Sequence, residues 1–412
     1  MRDTLDVNGS KNRIWTILFW TVGVLLFIAL LAFLIMRKNE MRKEELSANQ
    51  NSDPVNQING EDIFPELFGN EEDKDGESHT QTEELPLNTY ALPEKETVTF
   101  TFAGDVLLDD EYAIMSTYRA NGSVLENCID PKLLEIMRGA DVFMVNNEFT
   151  YTNRGTPLTN KTFTFRANPD NVSIMQDMGV DIVSLANNHA SDYGEVSLLD
   201  TLDTLEGADI PYVGAGRNLE EASKVVYFQN GDIKIGIVSA TEVERLASPD
   251  TKGATENTPG TFRCFQNDDL EAVIKEAKQN CDFLIVYVHW GTESTDQIDW
   301  SQPGQAEDFV AAGADVIIGA HPHVLQEIAY VNGVPVFYSL GNYWFNSKNL
   351  DSCLVTLEIG KDGLVSMRFI PCITSGSKTF LATGEEEIRV LQYMRDISET
   401  VNIDEDGFVT AL

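Results

Sequence analysis

The chain has 412 residues, 66 Asp plus Glu against 29 Lys plus Arg, and a formal charge of -37 at pH 7. That balance argues against sequence-independent nucleic-acid binding and against docking on an anionic membrane through a basic face, since both need cations. The five cysteines (Cys128, Cys264, Cys281, Cys353 and Cys372) never fall in a CxxC spacing. Zinc ribbons and dithiol redox motifs are therefore out, and buried free thiols remain, with a Cys353–Cys372 pairing open if those strands adjoin.

Residues 1–13 form a short tail. Ile14 to Met36 carry no charged side chain. At ~1.5 Å per residue the run makes about 35 Å of helix, the length of a tilted bilayer span. Trp15 and Trp20 suit the interfacial zone. A cleaved signal peptide competes with this reading, but the run is long and ends in Leu34-Ile35-Met36, where cleavage wants small residues. The expectation is a retained single-span membrane anchor. Arg2, Lys11 and Arg13 precede it and Arg37, Lys38, Arg42 and Lys43 follow, a charge balance too even to orient it. Residues 37–96, acidic and polar from Glu44 onward, predict a disordered, self-repelling linker that includes His79.

The folded part begins near Thr97 with the alternating run Val98 to Ala103, which ends in Gly104-Asp105. A recurring pattern follows, in which a helix ends in a small cap, an Asp comes next, and an apolar strand starts. It is seen at Gly139-Ala140-Asp141, Gly179-Val180-Asp181, Gly207-Ala208-Asp209 and Gly313-Ala314-Asp315, with a variant at Asn280-Cys281-Asp282. Gly or Asn at these caps predicts a left-handed residue ending each helix. Asp130-Pro131 and Asn168-Pro169 predict helix starts. Repeated helix-to-strand units imply an α/β domain with helices on the sheet faces. After Val334 successive strands (334–339, 352–359 and 364–371) and the Lys361-Asp362-Gly363 turn predict an antiparallel portion. A helical run from Glu385 to Thr400 should pack outside and close the domain.

Ligands of open α/β sheets collect at the carboxyl ends of strands. There the sequence places Asp105; Asn146, Asn147 and Glu148; Asn187, Asn188 and His189, with Asp192 behind; His289 and Glu293; His321 and His323; and Asn342. Four of the five histidines follow predicted strands. Pro322 between His321 and His323 stiffens that loop. Taken singly, each residue is as well explained by a capped turn or a core histidine. Together, carboxylates, imidazoles and an amide oxygen without a thiolate match a divalent-metal hydrolase, with Mn, Zn or Fe as the cofactor and one or two ions. An imidazole not held by metal would protonate the leaving group.

Gly104-Asp105, Asn146-Asn147-Glu148, Ser184 to His189 with Asp192-Tyr193-Gly194, His289-Trp290-Gly291, Gly319 to Gln326 and Tyr338 to Asn342 resemble the CapA family, the bacterial poly-gamma-glutamate capsule biosynthesis proteins. The resemblance covers about residues 97–375, with 376–412 as a helical extension packed on that domain. It implies the calcineurin-like metallophosphoesterase fold, an α-β-β-α sandwich of two sheets flanked by helices, behind one transmembrane helix with the large domain outside the cell. It also implies Asp105, Glu148, Asn188, His289, His321 and His323 as metal ligands, with Glu148 as the bridge. His189 and Asp192 would be catalytic, and Asn146, Arg166, Glu293 and Asn342 would meet substrate. Lys161 and Arg166 could offset an anionic polymer. One departure stands out: where the fold family places a second ligand histidine, this chain has Leu107.

Three readings follow. The chain is a metal-dependent hydrolase-like enzyme of capsule-polymer assembly or export, a non-catalytic scaffold or polymer-binding part of an export complex, or a phosphatase or phosphodiesterase unrelated to capsule. The expected partners are the membrane, other capsule synthesis and export membrane proteins, and an anionic polymer or phosphate ester. Nucleic acid is not among them.

Overall fold

The computed structural model describes residues 86–243 and 251–412. The expected span 14–36 and nearly all of the expected linker lie outside the described residues. Among the described residues no helix is long and apolar enough to cross a membrane.

Two mixed sheets carry the fold. The first has the order Lys378–Leu381, Gly363–Ser375, Leu350–Gly360, Thr97–Val106, Val142–Asn147, Ile182–Ser184 and Tyr212–Val213, with Asn342–Trp344 also pairing Thr97–Val106. The second runs Thr89–Ala91, Val226–Asn230, Ile233–Thr241, Phe283–His289, Val316–Ala320, Val334–Phe337 and Ile328–Val331. Strand alternation separates three apolar layers. Val142 and Met144 join Phe283, Ile285 and Tyr287 in the core between the sheets. The intervening Phe143 and Val145 face the helices that carry Leu133, Met137, Met175 and Leu202. On the far side Leu284, Val286 and Val288 pack on Leu270, Ile274 and Phe309 from the helices Asp268–Lys278 and Gln302–Ala312. The result is the expected helix-sheet-sheet-helix sandwich.

The recurring Asp has a purpose that the sequence does not reveal. Asp141, Asp181, Asp282 and Asp315 each donate a backbone N–H to the carbonyl of Thr99, Phe143, Lys234 and Leu284 on the adjacent strand, at 3.0, 2.9, 2.8 and 2.9 Å. Each carboxylate accepts the backbone N–H of that same residue in return, at 2.7 to 2.9 Å. Parallel strands are thus clamped in register at their amino ends, which sets where their carboxyl ends fall. The caps themselves differ from expectation. Gly179 and Gly313 take positive φ, but Gly139 and Gly207 are the last helical residues, and Asp209 rather than Gly207 turns left-handed. Asn280 is not left-handed either.

Two further expectations need correction. Residues Thr89–Ala91, assigned above to the linker, form an edge strand parallel to Val226–Asn230. The 376–412 extension is more than a helix. Lys378–Leu381 continues the first sheet, and Val401–Ile403 pairs with Val409–Ala411 around the helix Glu385–Ile397. That helix puts Val390, Leu391 and Met394 into the inter-sheet core. As expected, Cys353 and Cys372 are free, buried thiols, although they sit on the paired strands Leu350–Gly360 and Gly363–Ser375.

Removing one clamp tests its role. Asp181→Ala leaves the Phe143 N–H without its carboxylate acceptor and is expected to cost about 1–3 kcal/mol in urea unfolding. Wild-type stability in that variant would show the clamp to be incidental.

Candidate metal centre

The strand register brings the chemistry together. Asp105 pairs with Asn146 across the first sheet and with Asn342 on its other side, and His289 pairs with Ala320, the residue before His321. Glu148 follows the strand Val142–Asn147, and Asn188 and His189 follow Ile182–Ser184. Gly104 is required here, because a Cβ at that position would lie 1.8 Å from the Gly341 carbonyl oxygen. The close approach lets the Asp105 N–H donate to that carbonyl at 3.0 Å. His321 and His323 hold φ of 100° and 61°. Positive φ at a residue before proline is strained, and such strain persists where surrounding structure enforces it.

The imidazoles are individually oriented. Asp105 Oδ2 and Asn342 Oδ1 each lie 2.9 Å from His323 Nδ1. That places the proton on Nδ1 and leaves Nε2 as a lone pair 3.6 Å from Glu148 Oε1. His189 Nδ1 lies 2.6 Å from Asp192 Oδ2, and its Nε2 is 3.8 Å from Glu148 Oε1. Asp192 also accepts the Phe165 N–H at 2.7 Å and Lys161 Nζ at 2.5 Å. His289 Nε2 is 3.0 Å from Asn188 Oδ1. The Asn146 amide nitrogen lies 2.8 Å from Asp105 Oδ1, 3.1 Å from Glu148 Oε2 and 3.3 Å from His289 Nδ1. Glu148 Oε1 and His321 Nδ1 are buried with no hydrogen-bond partner.

Burial dominates the electrostatics. It pushes the Glu148 carboxyl well above its ordinary range, and the charge of Asp105 adds to the rise. Burial acts the same way on Asp105, but the hydrogen bond and charge of His323 outweigh it and hold that carboxyl low. His323 is raised: burial opposes its charge, and Asp105 more than restores it. His289 is held well below the usual imidazole range by burial and then by His321 and His323. Burial, then the charge of His323, takes His321 down to about 3. His189 is lowered chiefly by burial, against the pull of Asp192. A dry carboxyl beside the lowered imidazoles of His189, His289 and His321, with His323 committed to Asp105, is a site short of positive charge.

Two residue groups have ligand atoms close enough for one ion, Glu148 with His321 and His323, and Asp105 with Glu148 and His289. The unpartnered Glu148 Oε1 and His321 Nδ1 belong to the first. Carboxylate plus imidazole suits a divalent ion such as Zn, Mn or Fe, so the residues present fit such a cofactor.

A cleft of about 610 Å³ opens beside this cluster, lined in part by Asn188, His189, His321 and His323. Of the residues expected to meet substrate, Glu293 is exposed on its wall. Asn146 and Asn342 are buried behind the ligands, and Arg166 sits over the Tyr193 ring at 4.5 Å, away from the lining. Lys161 and Lys348 are the cations of the cleft lining, Lys161 being buried and paired with Asp192. Leu107 lines it as a buried apolar side chain and supplies no ligand. The sequence reading missed an aromatic wall of Tyr112, Phe163, Phe165 and Phe345. Phe165 packs on His189 and Phe345 on His323, with ring centroids 4.3 and 4.7 Å apart. The alternation Thr162-Phe163-Thr164-Phe165 was its one local signal.

The Glu148 shift has a measurable sign. An unfolded glutamate titrates near about 4.3, and the folded carboxyl lies higher. Its contribution to stability is full below the unfolded value and is lost as pH rises through the folded one. Glu148→Gln avoids that loss. In EDTA at about pH 8 the variant is expected to melt above wild type, by about 2–4 °C for each kcal/mol recovered. Added Mn or Zn should raise only the wild type. A variant that melts lower in EDTA would contradict this account.

Comparison with known proteins places the chain. A family model described as bacterial capsule synthesis protein PGA_cap matches residues 99–347. The PGA biosynthesis protein CapA of Bacillus subtilis (strain 168) is 29% identical over 322 residues, 75% of this chain and 81% of that protein. The capsule biosynthesis protein CapA of Bacillus anthracis is 28% identical over 327 residues, 74% of this chain and 75% of the relative. The solved structure of the Thermus thermophilus sulfate thiohydrolase SoxB aligns at 13% identity over 70% of this chain and 56% of that one, with a TM-score of 0.36, too loose to bear on fold or chemistry. With the family match covering residues 99–347, more than half of the chain and every ligand candidate, the chain belongs to the bacterial capsule synthesis protein family PGA_cap.

Proposed function

We propose that this protein acts in assembly or export of an anionic capsule polymer, of which poly-gamma-glutamate is the type its relatives' names point to. In this reading the 14–36 segment anchors it in the cell membrane as a single span. The large domain faces outward, beside other membrane proteins of capsule synthesis or export. Its cleft is a divalent-metal, hydrolase-like centre of metallophosphoesterase type.

One observation carries the catalytic part: the Asp192–His189 pair aims His189 Nε2 at the same Glu148 oxygen that His323 Nε2 faces, at the floor of one cleft. A divalent ion held by Glu148, His321 and His323 would supply Lewis acidity there. His189, kept neutral by burial, would take up or deliver a proton at Nε2, and Asp192 fixes its ring and tautomer. Lys348 and Lys161, both in the cleft lining, would give an anionic substrate positive charge within a strongly acidic chain, Lys161 already sharing its own with Asp192. The aromatic wall limits water near both imidazoles.

The full-length protein in detergent tests this. His321→Ala is expected to lose stoichiometric metal by elemental analysis. Asn342→Ala, which frees His323 Nδ1 from one of its two acceptors, should weaken metal binding about 10–100-fold. A metal-free wild type under replete conditions would sink the metal centre.

His189→Ala separates catalysis from scaffolding. It should keep its metal yet lower surface polymer output about 10²–10⁴-fold in cells lacking the native copy. Normal output would leave the scaffold reading standing. Turnover of a simple phosphodiester by the loaded protein, without any effect on polymer, would favour the third.

A further inference from the structure

We infer that the Asn146 amide fills the second of the two ligand groups and holds this centre to one divalent ion. The inference rests on the metal reading above and concerns how many ions the site accepts.

The orientation of Asn146 follows from backbone groups whose roles are unambiguous. The His189 backbone N–H donates to Asn187 Oδ1 at 3.0 Å, and the Asn147 carbonyl accepts from Asn187 Nδ2 at 3.0 Å. Asn187 therefore has only one way round. Its Nδ2 also donates to Asn146 Oδ1 at 3.0 Å, so the Asn146 oxygen points at Asn187 and its nitrogen points the other way. That nitrogen meets one ligand-type atom from each member of the second group: Asp105 Oδ1, Glu148 Oε2 and His289 Nδ1, within 2.8 to 3.3 Å. Two amide hydrogens among three acceptors use the lone pairs a cation would need.

The remaining atoms agree. His289 donates through Nε2 to Asn188 Oδ1 and accepts through Nδ1, so both ring nitrogens are engaged. Asp105 divides its oxygens between Asn146 and His323. Glu148 gives Oε2 to Asn146 but leaves Oε1 without a partner, and His321 Nδ1 is likewise unpartnered. Buried polar atoms without partners are rare and costly. Here they fall on residues of the first group, while in the second every ring nitrogen and carboxylate oxygen except the shared Glu148 Oε1 has a partner. Glu148 is thus not a bridge between ions. One of its oxygens faces the ion and the other an amide. Leu107 fits the same account, because a second ion would need a ligand that this position does not provide.

The test is manganese stoichiometry and electron paramagnetic resonance of the full-length protein in detergent. Wild type is expected to bind one Mn(II) and give the six-line signal of an isolated ion. Asn146→Asp replaces the donor by a carboxylate and should raise the uptake to two ions with an exchange-coupled spectrum. Asn146→Ala opens the same group without adding charge and should take a second ion at saturating manganese. It serves where the Asp variant fails to fold. Two coupled ions in wild type would overturn the inference. So would a single ion in folded variants. No manganese in wild type and variants alike would overturn the metal reading itself, a different and recognisable failure.

Discussion

Glu148 is a carboxyl with no exposed surface and one oxygen unpartnered, with the imidazoles of His323 and His189 3.6 and 3.8 Å from that oxygen. Burying such a group without compensation is costly, and the fold arranges itself to sustain it. Against burial, Asp105 is held low by His323 first and then by Asn146 and His321, while His289 and His321 are held below the usual imidazole range. Each imbalance leaves a lone pair or an anionic oxygen pointing inward. A protein selected for stability alone would have placed leucines here. The cluster is better understood as half of an electrostatic pair whose other half is a cation.

Holding that arrangement is the work of the two sheets. The Asp clamps at the amino ends of the parallel strands fix register, and a fixed register sets which residues sit side by side at the carboxyl ends. Gly104 lets the Asn342 segment come against Asp105 closely enough for both to grip the same imidazole nitrogen. The strained backbone at His321 and His323 is confined to the loop that carries the ligands, as expected when surrounding packing supports a functional geometry.

Under the function proposed above, an acidic protein would have to accommodate an acidic polymer. A net charge of -37 repels polyanions at a distance, so recognition has to be local. The cleft brings together Lys161, Lys348 and the candidate metal cluster beside an aromatic wall that packs on His189 and His323.

The sequence by itself determined an α/β domain with an antiparallel portion and the set of chemical residues, because strand periodicity and strand-end position are local properties; the two-sheet sandwich came with the family resemblance. Asp105, Glu148, Asn188, His189, His289, His321 and His323 are all legible as strand-end residues, and they do converge. Only the tertiary structure decided what each one does. Asn146 and Asn342, expected on the substrate side, lie behind the ligands because strand pairing sets them beside Asp105. Arg166 looked equivalent to Lys161 as a loop cation, but a Tyr193 ring captured one and Asp192 the other. The aromatic wall is built from segments far apart in the chain, so no local pattern could announce it whole. The edge strand Thr89–Ala91 hid inside polar sequence because its stability comes from its neighbour, not from its own residues. Local sequence specifies which way a side chain points along its own element. What stands opposite it depends on register and packing, and those exist only once the chain has folded.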